Sequence, residues 1–318
     1  MEVRKVSTVL FVACLALLAT FCPTPSFSAP APGSATVIAG IPFLPDLQFS
    51  QIPPDKRTKY DGDRFSYMAA GPKNAPVVLF LHGVGANSMH WRFQYPVFGE
   101  KYRVIAWNAP GYLMSNNLKP EAPTCEDYGE AVNDFLTSVG VGKVYLVANS
   151  FGTVVGQCFA ARYPQKVTKI AFTGTLIGDA WRPEEQKKAA VEGRRKGIEG
   201  GSYAFGSGRV QALVGKNTSE DTLALLRSVL RAADLRGYMQ AVAFVVGTDT
   251  RPLAPKLTMP IFMFQGTEDV VAPIKEHSYV LKPLLANAKL QEVPGVGHLP
   301  EFEVPDAFNK AVLDFFAQ

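Results

Sequence analysis

The chain has 318 residues, 47% hydrophobic and 19% charged, a globular balance that excludes a disordered chain. Its 32 basic and 28 acidic residues leave a formal net charge of +4, too slight and too scattered to imply a nucleic-acid partner. The sequence opens on a targeting segment. "MEVRK" supplies a basic start, "VSTVLFVACLALLATFC" an apolar stretch, and "PTPSFSAPAPGSA" a helix-breaking region with small residues for cleavage. Residues 1–28 therefore read as a signal peptide, cut before Ala29 with Ala35 as the fallback, and the expected location is periplasmic or secreted. Left uncut, the segment would anchor the chain in a membrane.

Residues 29–59 read as an extended leader, rich in Pro, Ala and Ser near its start. A core then begins at residue 60 with strands and helices in alternation. "RFSYMAA", "PVVLFLH", "YRVIAW", "KVYLVA" and "VTKIAFTG" read as strands, and the continuous apolar runs among them suit parallel strands buried on both faces. "TCEDYGEAVNDFLTSVG" reads as a helix that Thr124 caps with Asp127 three residues on. Another helix runs from about Phe151 to Tyr163. From residue 176 to 257 the rhythm breaks into polar, helical sequence with Gly-rich joints, read as an inserted helical cap. The core resumes over 258–318 with "PIFMFQ", a helix near Ala272 to Leu285, "KLQEV" and a helix from about Pro305 to Phe316. Alternation of this kind predicts an α/β fold, a mostly parallel central sheet with helices on both faces.

Of the four cysteines, Cys14 and Cys22 leave with the signal. Cys125 and Cys158 either form one disulfide in an oxidising compartment or stay as two packed thiols. No metal-ligand spacing is present, and neither a metal nor a cofactor is implied.

Sites in open α/β sheets form beyond the carboxyl ends of the strands, so polar residues there carry the functional signal. "FLHGVGANSMHW" has Gly83 and Gly85 in a turn that can aim the Val84 N–H at a developing oxyanion; alone, it is also an ordinary strand-ending turn. In "VYLVANSFGTVVG", Ser150 sits between strand and helix, as a nucleophile on a tight turn or as an ordinary N-cap serine. As a nucleophile it would bring the Phe151 N–H as second oxyanion donor, with Ala148 and Gly152 as the small neighbours that the crowded turn requires. In "MFQGTEDVVAP", Asp269 can orient a histidine, with Glu268 and Asp179 as rival acids. In "VPGVGHLPEFEVP", His298 follows a strand and a Gly-x-Gly turn. His90 and His277 read as structural or surface residues, and His82 as a residue that shapes the oxyanion turn. Ser150, Asp269 and His298 come in that order, each past a strand end, which points to a catalytic triad.

With "HGVG", "NAPGYLMS", "NSFG", "GTEDVVAP" and "GHLPEFEVP", the sequence resembles the α/β-hydrolase fold superfamily over about Tyr60 to Phe316. The resemblance implies the α/β-hydrolase sheet with the helical cap inserted after the sixth strand. "LHGVGANSMHWR" is similar to haloalkane dehalogenases and epoxide hydrolases, but those use an aspartate nucleophile where this chain has Ser150. "ANSFG" and "NAPGYLMS" are similar to carbon–carbon bond hydrolases of ring-fission products, whose cap arginine binds the substrate carboxylate; Arg227 is the possible counterpart, or a surface arginine. Asn108 and Leu113 depart from the Asp and Gly usual in the family's loop beside the site.

The expected activity is thus an exported serine hydrolase that cleaves a carboxylic ester or lactone of a small molecule. Carbon–carbon bond hydrolysis of a vinylogous diketone and a non-catalytic binding protein of the same fold are the alternatives. A small molecule is the expected partner, with no nucleic acid and no stable membrane partner once the signal is removed. Trp91 is expected near the pocket mouth or packed. Phe205, Leu225, Leu226, Tyr238, Met239 and Phe244 of the cap either line the pocket or hold cap to core. The run Arg194-Arg195-Lys196, beside Glu192 and Glu199, reads as a solvated face.

Overall fold

Apolar runs that alternate with amphipathic helices can hide both faces only as a covered, largely parallel sheet, and that is what forms. The computed structural model describes residues 37–38 and 41–318; the expected signal peptide and the front of the leader lie outside the described residues. Eight strands build the sheet: β1 (Leu47–Gln51), β2 (Arg64–Ala70), β3 (Val77–Leu81), β4 (Arg103–Trp107), β5 (Val144–Asn149), β6 (Val167–Thr173), β7 (Ile261–Gly266) and β8 (Ala288–Val293). Their order is β8-β7-β6-β5-β3-β4-β2-β1. The strands from β8 to β4 are parallel, while β2 runs antiparallel to both β4 and β1. Among the described residues no helix is long and apolar enough to cross a membrane.

The leader is shorter than the sequence suggests. Leu47–Gln51 is the edge strand of the sheet, and a 3-10 helix, Pro54–Lys59, follows it. An edge strand tolerates polar residues on both faces, so Gln48, Ser50 and Gln51 hide the apolar pattern that marks the inner strands. Counted with this strand, the helical insertion follows β6, the sixth strand of the sheet. The helix expected near Ala272 to Leu285 also shrinks, to Ser278–Leu281 and a 3-10 turn at Lys282–Leu284. Pro273 and Pro283 each remove a backbone donor and interrupt it.

Helix α1 (Cys125–Ser138) starts on a reciprocal cap: Thr124 Oγ1 accepts from the Asp127 N–H, and the Asp127 carboxylate accepts from the Thr124 N–H at 2.8 Å. It packs on α2 (Phe151–Arg162), and a Cys125–Cys158 disulfide joins the two helices. Four helices make up most of the insertion: α3 (Glu184–Glu199), α4 (Ser202–Arg209), α5 (Glu220–Leu230) and α6 (Leu235–Gly247). Ile198, Phe205, Leu213, Leu226 and Leu230 form an apolar cluster with Leu299 and Phe302 from the far end of the chain. At roughly 1.5–3 kcal/mol for each large side chain removed from water, this cluster contributes to holding the insertion against the His298 end of the chain. Phe244 of α6 reaches the main core instead, with its ring 4.6 Å from Tyr128 and 5.7 Å from Phe151. A final helix, α7 (Pro305–Ala317), covers the other face through Phe308, Val312 and Phe316.

Candidate active site

Strand β5 ends at Asn149 and α2 begins at Phe151, so the chain turns within one residue, Ser150. Ser150 takes φ +54° and ψ −120°, a conformation L-residues adopt only when their surroundings impose it. The surroundings do: its N–H donates to Thr173 O at 3.1 Å, and its carbonyl accepts from the Thr153 N–H at 2.8 Å and the Thr153 hydroxyl at 2.7 Å. Ser150 occupies the N-cap position, but its side chain makes no capping hydrogen bond to the helix. Gly152 has no substitute here, since a Cβ would lie 2.2 Å from the Leu81 carbonyl oxygen. Ala148, two residues before the serine, is fully buried and is accommodated on β5.

His298 follows β8 and is buried, with Nδ1 2.8 Å from Asp269 Oδ2. Asp269 follows β7 and accepts four hydrogen bonds. Oδ1 takes the N–H groups of Val271 at 2.9 Å and Ala272 at 2.7 Å, while Oδ2 takes Gln265 Nε2 at 2.8 Å besides the imidazole. Burial opposes ionisation of Asp269, but the facing imidazole and these N–H donors outweigh it and hold the carboxyl below its ordinary range. A carboxylate that accepts at Nδ1 fixes the tautomer that leaves Nε2 free to accept a proton. The rival acids are engaged elsewhere: Glu268 is exposed and accepts from the Lys216 N–H, and Asp179 pairs with Arg182 at 2.7 Å. Ser150 and His298 line one cavity, although no hydrogen bond joins them; such contacts commonly close only in the reacting complex.

The turn after β3 runs beside the serine. A Cβ on Gly83 would stand 2.7 Å from Asn149 Oδ1 and 3.1 Å from the Ser150 Cβ. Among the described residues, the N–H groups of Val84 and Phe151 have no acceptor, so both remain free as donors beside the serine. His82 builds this turn. Its Nδ1 donates to Gly83 O at 2.8 Å and its Nε2 accepts from the Ala109 N–H at 3.1 Å, and complete burial pushes its pKa down to about 3. His277 is also buried, with its pKa lowered to about 4 by burial, and accepts from the Ile177 N–H. His90 lines the cavity and is held by Glu301 at 2.5 Å. In the neighbouring loop Asn108 accepts from the Ser88 N–H at 2.7 Å and donates to Ser66 Oγ at 2.8 Å, while Leu113 takes φ +35° where a glycine is usual.

Val84 lines the same cavity as Ser150 and His298. Helices of the insertion roof it. Of the six cap side chains read as lining the pocket or holding cap to core, Leu226 lines it; Phe205 and Tyr238 pack on each other at 4.8 Å. Trp91 is packed rather than at the pocket: it is fully buried against Phe80 of the inner strand β3, rings 4.7 Å apart. Arg227 is not a pocket residue either, since it faces outward on α5 toward Glu220 at 3.4 Å. The charged run on α3 divides. Arg195 and Lys196 pair on the surface with Glu199 and Glu192, but Arg194 turns inward and lines the cavity. Arg209 joins it there, unanticipated, and so does Asn149, which donates from Nδ2 to the His298 carbonyl at 3.2 Å.

The His298 loop is fastened to the insertion. The His298 N–H donates to Leu213 O at 3.0 Å. Glu303 accepts from the Gly297 N–H at 2.9 Å and from the Gly215 N–H at 2.7 Å, one carboxylate bridging the two segments.

Comparison with known proteins agrees with this fold. The family model described as alpha/beta hydrolase fold matches residues 76–305, and the chain belongs to that family. A pimeloyl-[acyl-carrier protein] methyl ester esterase from Chromobacterium violaceum is 26% identical over 75% of this chain and 93% of its own. A 2-hydroxy-6-oxononadienedioate/2-hydroxy-6-oxononatrienedioate hydrolase from Dechloromonas aromatica is 25% identical over 75% of this chain and 86% of its own. The crystal structure of the enol-lactonase from Burkholderia xenovorans LB400 shares the fold, with a TM-score of 0.70 and 22% identity over 81% of this chain and 98% of that one. The chain is an α/β-hydrolase, and its relatives support hydrolysis of a small molecule.

Proposed function

We propose that this α/β-hydrolase is an exported serine hydrolase that cleaves a carboxylic ester or lactone through Ser150, His298 and Asp269. The observation that carries the reading is Ser150: a strained serine, its hydroxyl withheld from helix capping, in one cavity with an imidazole that a carboxylate orients. Ser150 Oγ attacks the carbonyl carbon while His298 Nε2 takes the hydroxyl proton. The oxyanion accepts from the N–H groups of Val84 and Phe151, each worth roughly 10²–10³ in rate. His298 returns the proton to the leaving oxygen as the C–O bond breaks, and an acyl-enzyme remains. Water, deprotonated by His298, then releases the acid and restores the serine. Asp269 stays ionised and stabilises the imidazolium at each step.

The Cys125–Cys158 bridge supports an oxidising compartment and so the exported location. The relative named as a 2-hydroxy-6-oxononadienedioate hydrolase supports carbon–carbon bond hydrolysis as the second reading. Labelling with a fluorophosphonate probe, read by mass spectrometry, tests the nucleophile: the adduct is expected on Ser150 and absent in Ser150→Ala. An unlabelled wild type, or an adduct elsewhere, overturns the assignment. Turnover of p-nitrophenyl esters against a ring-fission dienoate separates the two activities, and turnover of neither leaves a binding protein.

A further inference from the structure

Two guanidinium groups face the cavity without a counter-charge. Arg194 of α3 and Arg209, the last residue of α4, both line it. Arg194 Nη1 reaches Tyr238 Oη at 3.4 Å. Arg209 Nε is buried with no hydrogen-bond partner. Among the described residues no carboxylate is paired with either, whereas Arg182, Arg227, Arg236 and Arg251 each hold one. The other ionisable groups of the lining are already committed: Asp179 to Arg182, His90 to Glu301, His298 to Asp269. Burial, then the charge of Arg194, pulls the Arg209 guanidinium down to about 10, which leaves it cationic at neutral pH.

Much of the remaining wall is hydrocarbon, from Leu213, Leu226, Val229, Leu230 and Val242. Two like charges over apolar walls destabilise the empty site, and a ligand anion relieves both the desolvation and the repulsion. A surface arginine would instead find water or a neighbouring acid. In a cavity lined by Ser150, by hydrocarbon side chains and by two guanidinium forks with no carboxylate partner, the complementary ligand is a hydrocarbon with a carboxylate.

We propose that the substrate bears a carboxylate besides its scissile ester, and that Arg209, assisted by Arg194, binds it. This rests on the serine-hydrolase reading above and narrows its substrate class to half-esters of dicarboxylic acids or their counterparts with the acid on the alcohol side.

The test compares kcat/KM for mono-p-nitrophenyl esters of linear dicarboxylic acids with length-matched neutral p-nitrophenyl esters. Charge-assisted hydrogen bonds predict a preference for the half-ester of about 10- to 100-fold at the best chain length. Arg209→Gln and Arg194→Gln should bring that ratio toward one, and Arg209→Lys should keep part of it. Arg195→Gln, on the exposed face of the same helix, should leave the ratio unchanged. A parallel series of ω-carboxyalkyl acetates tells whether the acid belongs to the acyl or the alcohol portion. Wild type that prefers neutral esters in both series, or an unchanged ratio in Arg209→Gln with an unchanged melting temperature, overturns the proposal. Calorimetric titration with suberate gives a readout independent of turnover. If no ester is cleaved but suberate binds wild type and not Arg209→Gln, the hydrolase reading fails and the carboxylate subsite stands. If esters are cleaved and suberate neither binds nor inhibits, the subsite fails alone.

Discussion

Replacing Asp269 by Asn keeps the shape of the side chain and removes its power to accept at both ends. In the native protein all four hydrogen bonds to Asp269 are donated to it, by Val271, Ala272, Gln265 and His298. Asn can accept at one end only, and its NH2 group must face donors at the other. Gln265 cannot flip to help, because its Oε1 accepts from the Thr175 N–H at 2.9 Å and the Ser278 hydroxyl at 3.2 Å. The backbone donors at 2.7 and 2.9 Å cannot move without unfolding the loop, whereas an imidazole can exchange its tautomer. The amide nitrogen therefore turns toward His298, whose Nδ1 must then accept and whose Nε2 must carry the proton. A protonated Nε2 cannot take the Ser150 proton, and kcat should fall by about 10³–10⁴. The donor left facing Gln265 costs about 1–3 kcal/mol of stability. Stopped assays with p-nitrophenyl acetate and chemical denaturation measure the two effects separately. A kcat within tenfold of wild type refutes the orientation argument, and an equal loss in Glu268→Gln would show that the wrong carboxylate was assigned.

Acid should destabilise the fold before its carboxylates titrate. His82 and His277 are held neutral by burial, at about 3 and about 4, and regain their ordinary affinity for protons near pH 6.5 on unfolding. Their contribution is complete above pH 6.5 and is lost as pH falls toward 4, at up to about 1.4 kcal/mol per pH unit each; a flat stability curve between pH 7 and 5 would contradict this. Gly152→Ala drives a methyl into the Leu81 carbonyl at 2.2 Å, and overpacking against backbone should cost at least about 3 kcal/mol or abolish soluble expression. Reduction of the Cys125–Cys158 bridge, which spans 33 residues, should lower stability by about 3–4 kcal/mol in denaturation with and without dithiothreitol.

The sheet was readable because its inner strands are buried on both faces, so "PVVLFL" and "PIFMF" have no other use than a covered strand. The order Ser150, Asp269, His298 was readable because strand ends collect chemistry, and the three residues lie in the turns after strands that end at Asn149, Gly266 and Val293. Residues 47–51 were not readable, since an edge strand half in water has no apolar signature. The pocket arginines were least readable of all. On α3, Arg194 sits beside Arg195 and Lys196 and is chemically indistinguishable from them; only the rotation of the helix over the cavity separates one from the others. Trp91 and Arg227 each left two readings open, and the packed indole and the surface arginine are the ones the structure matches, because which face a helix or turn presents is decided by packing with distant segments.

The clasp between the insertion and the His298 loop limits how the enzyme can breathe. Leu213 and Gly215 are tied to His298 and, through Glu303, to Gly297, so this corner of the roof cannot rise without dragging the imidazole off its carboxylate. Helices α3 and α4, upstream of the tie, are the ones that carry Arg194 and Arg209. The groups proposed to hold a carboxylate and the imidazole proposed to move a proton are thus joined through one insertion.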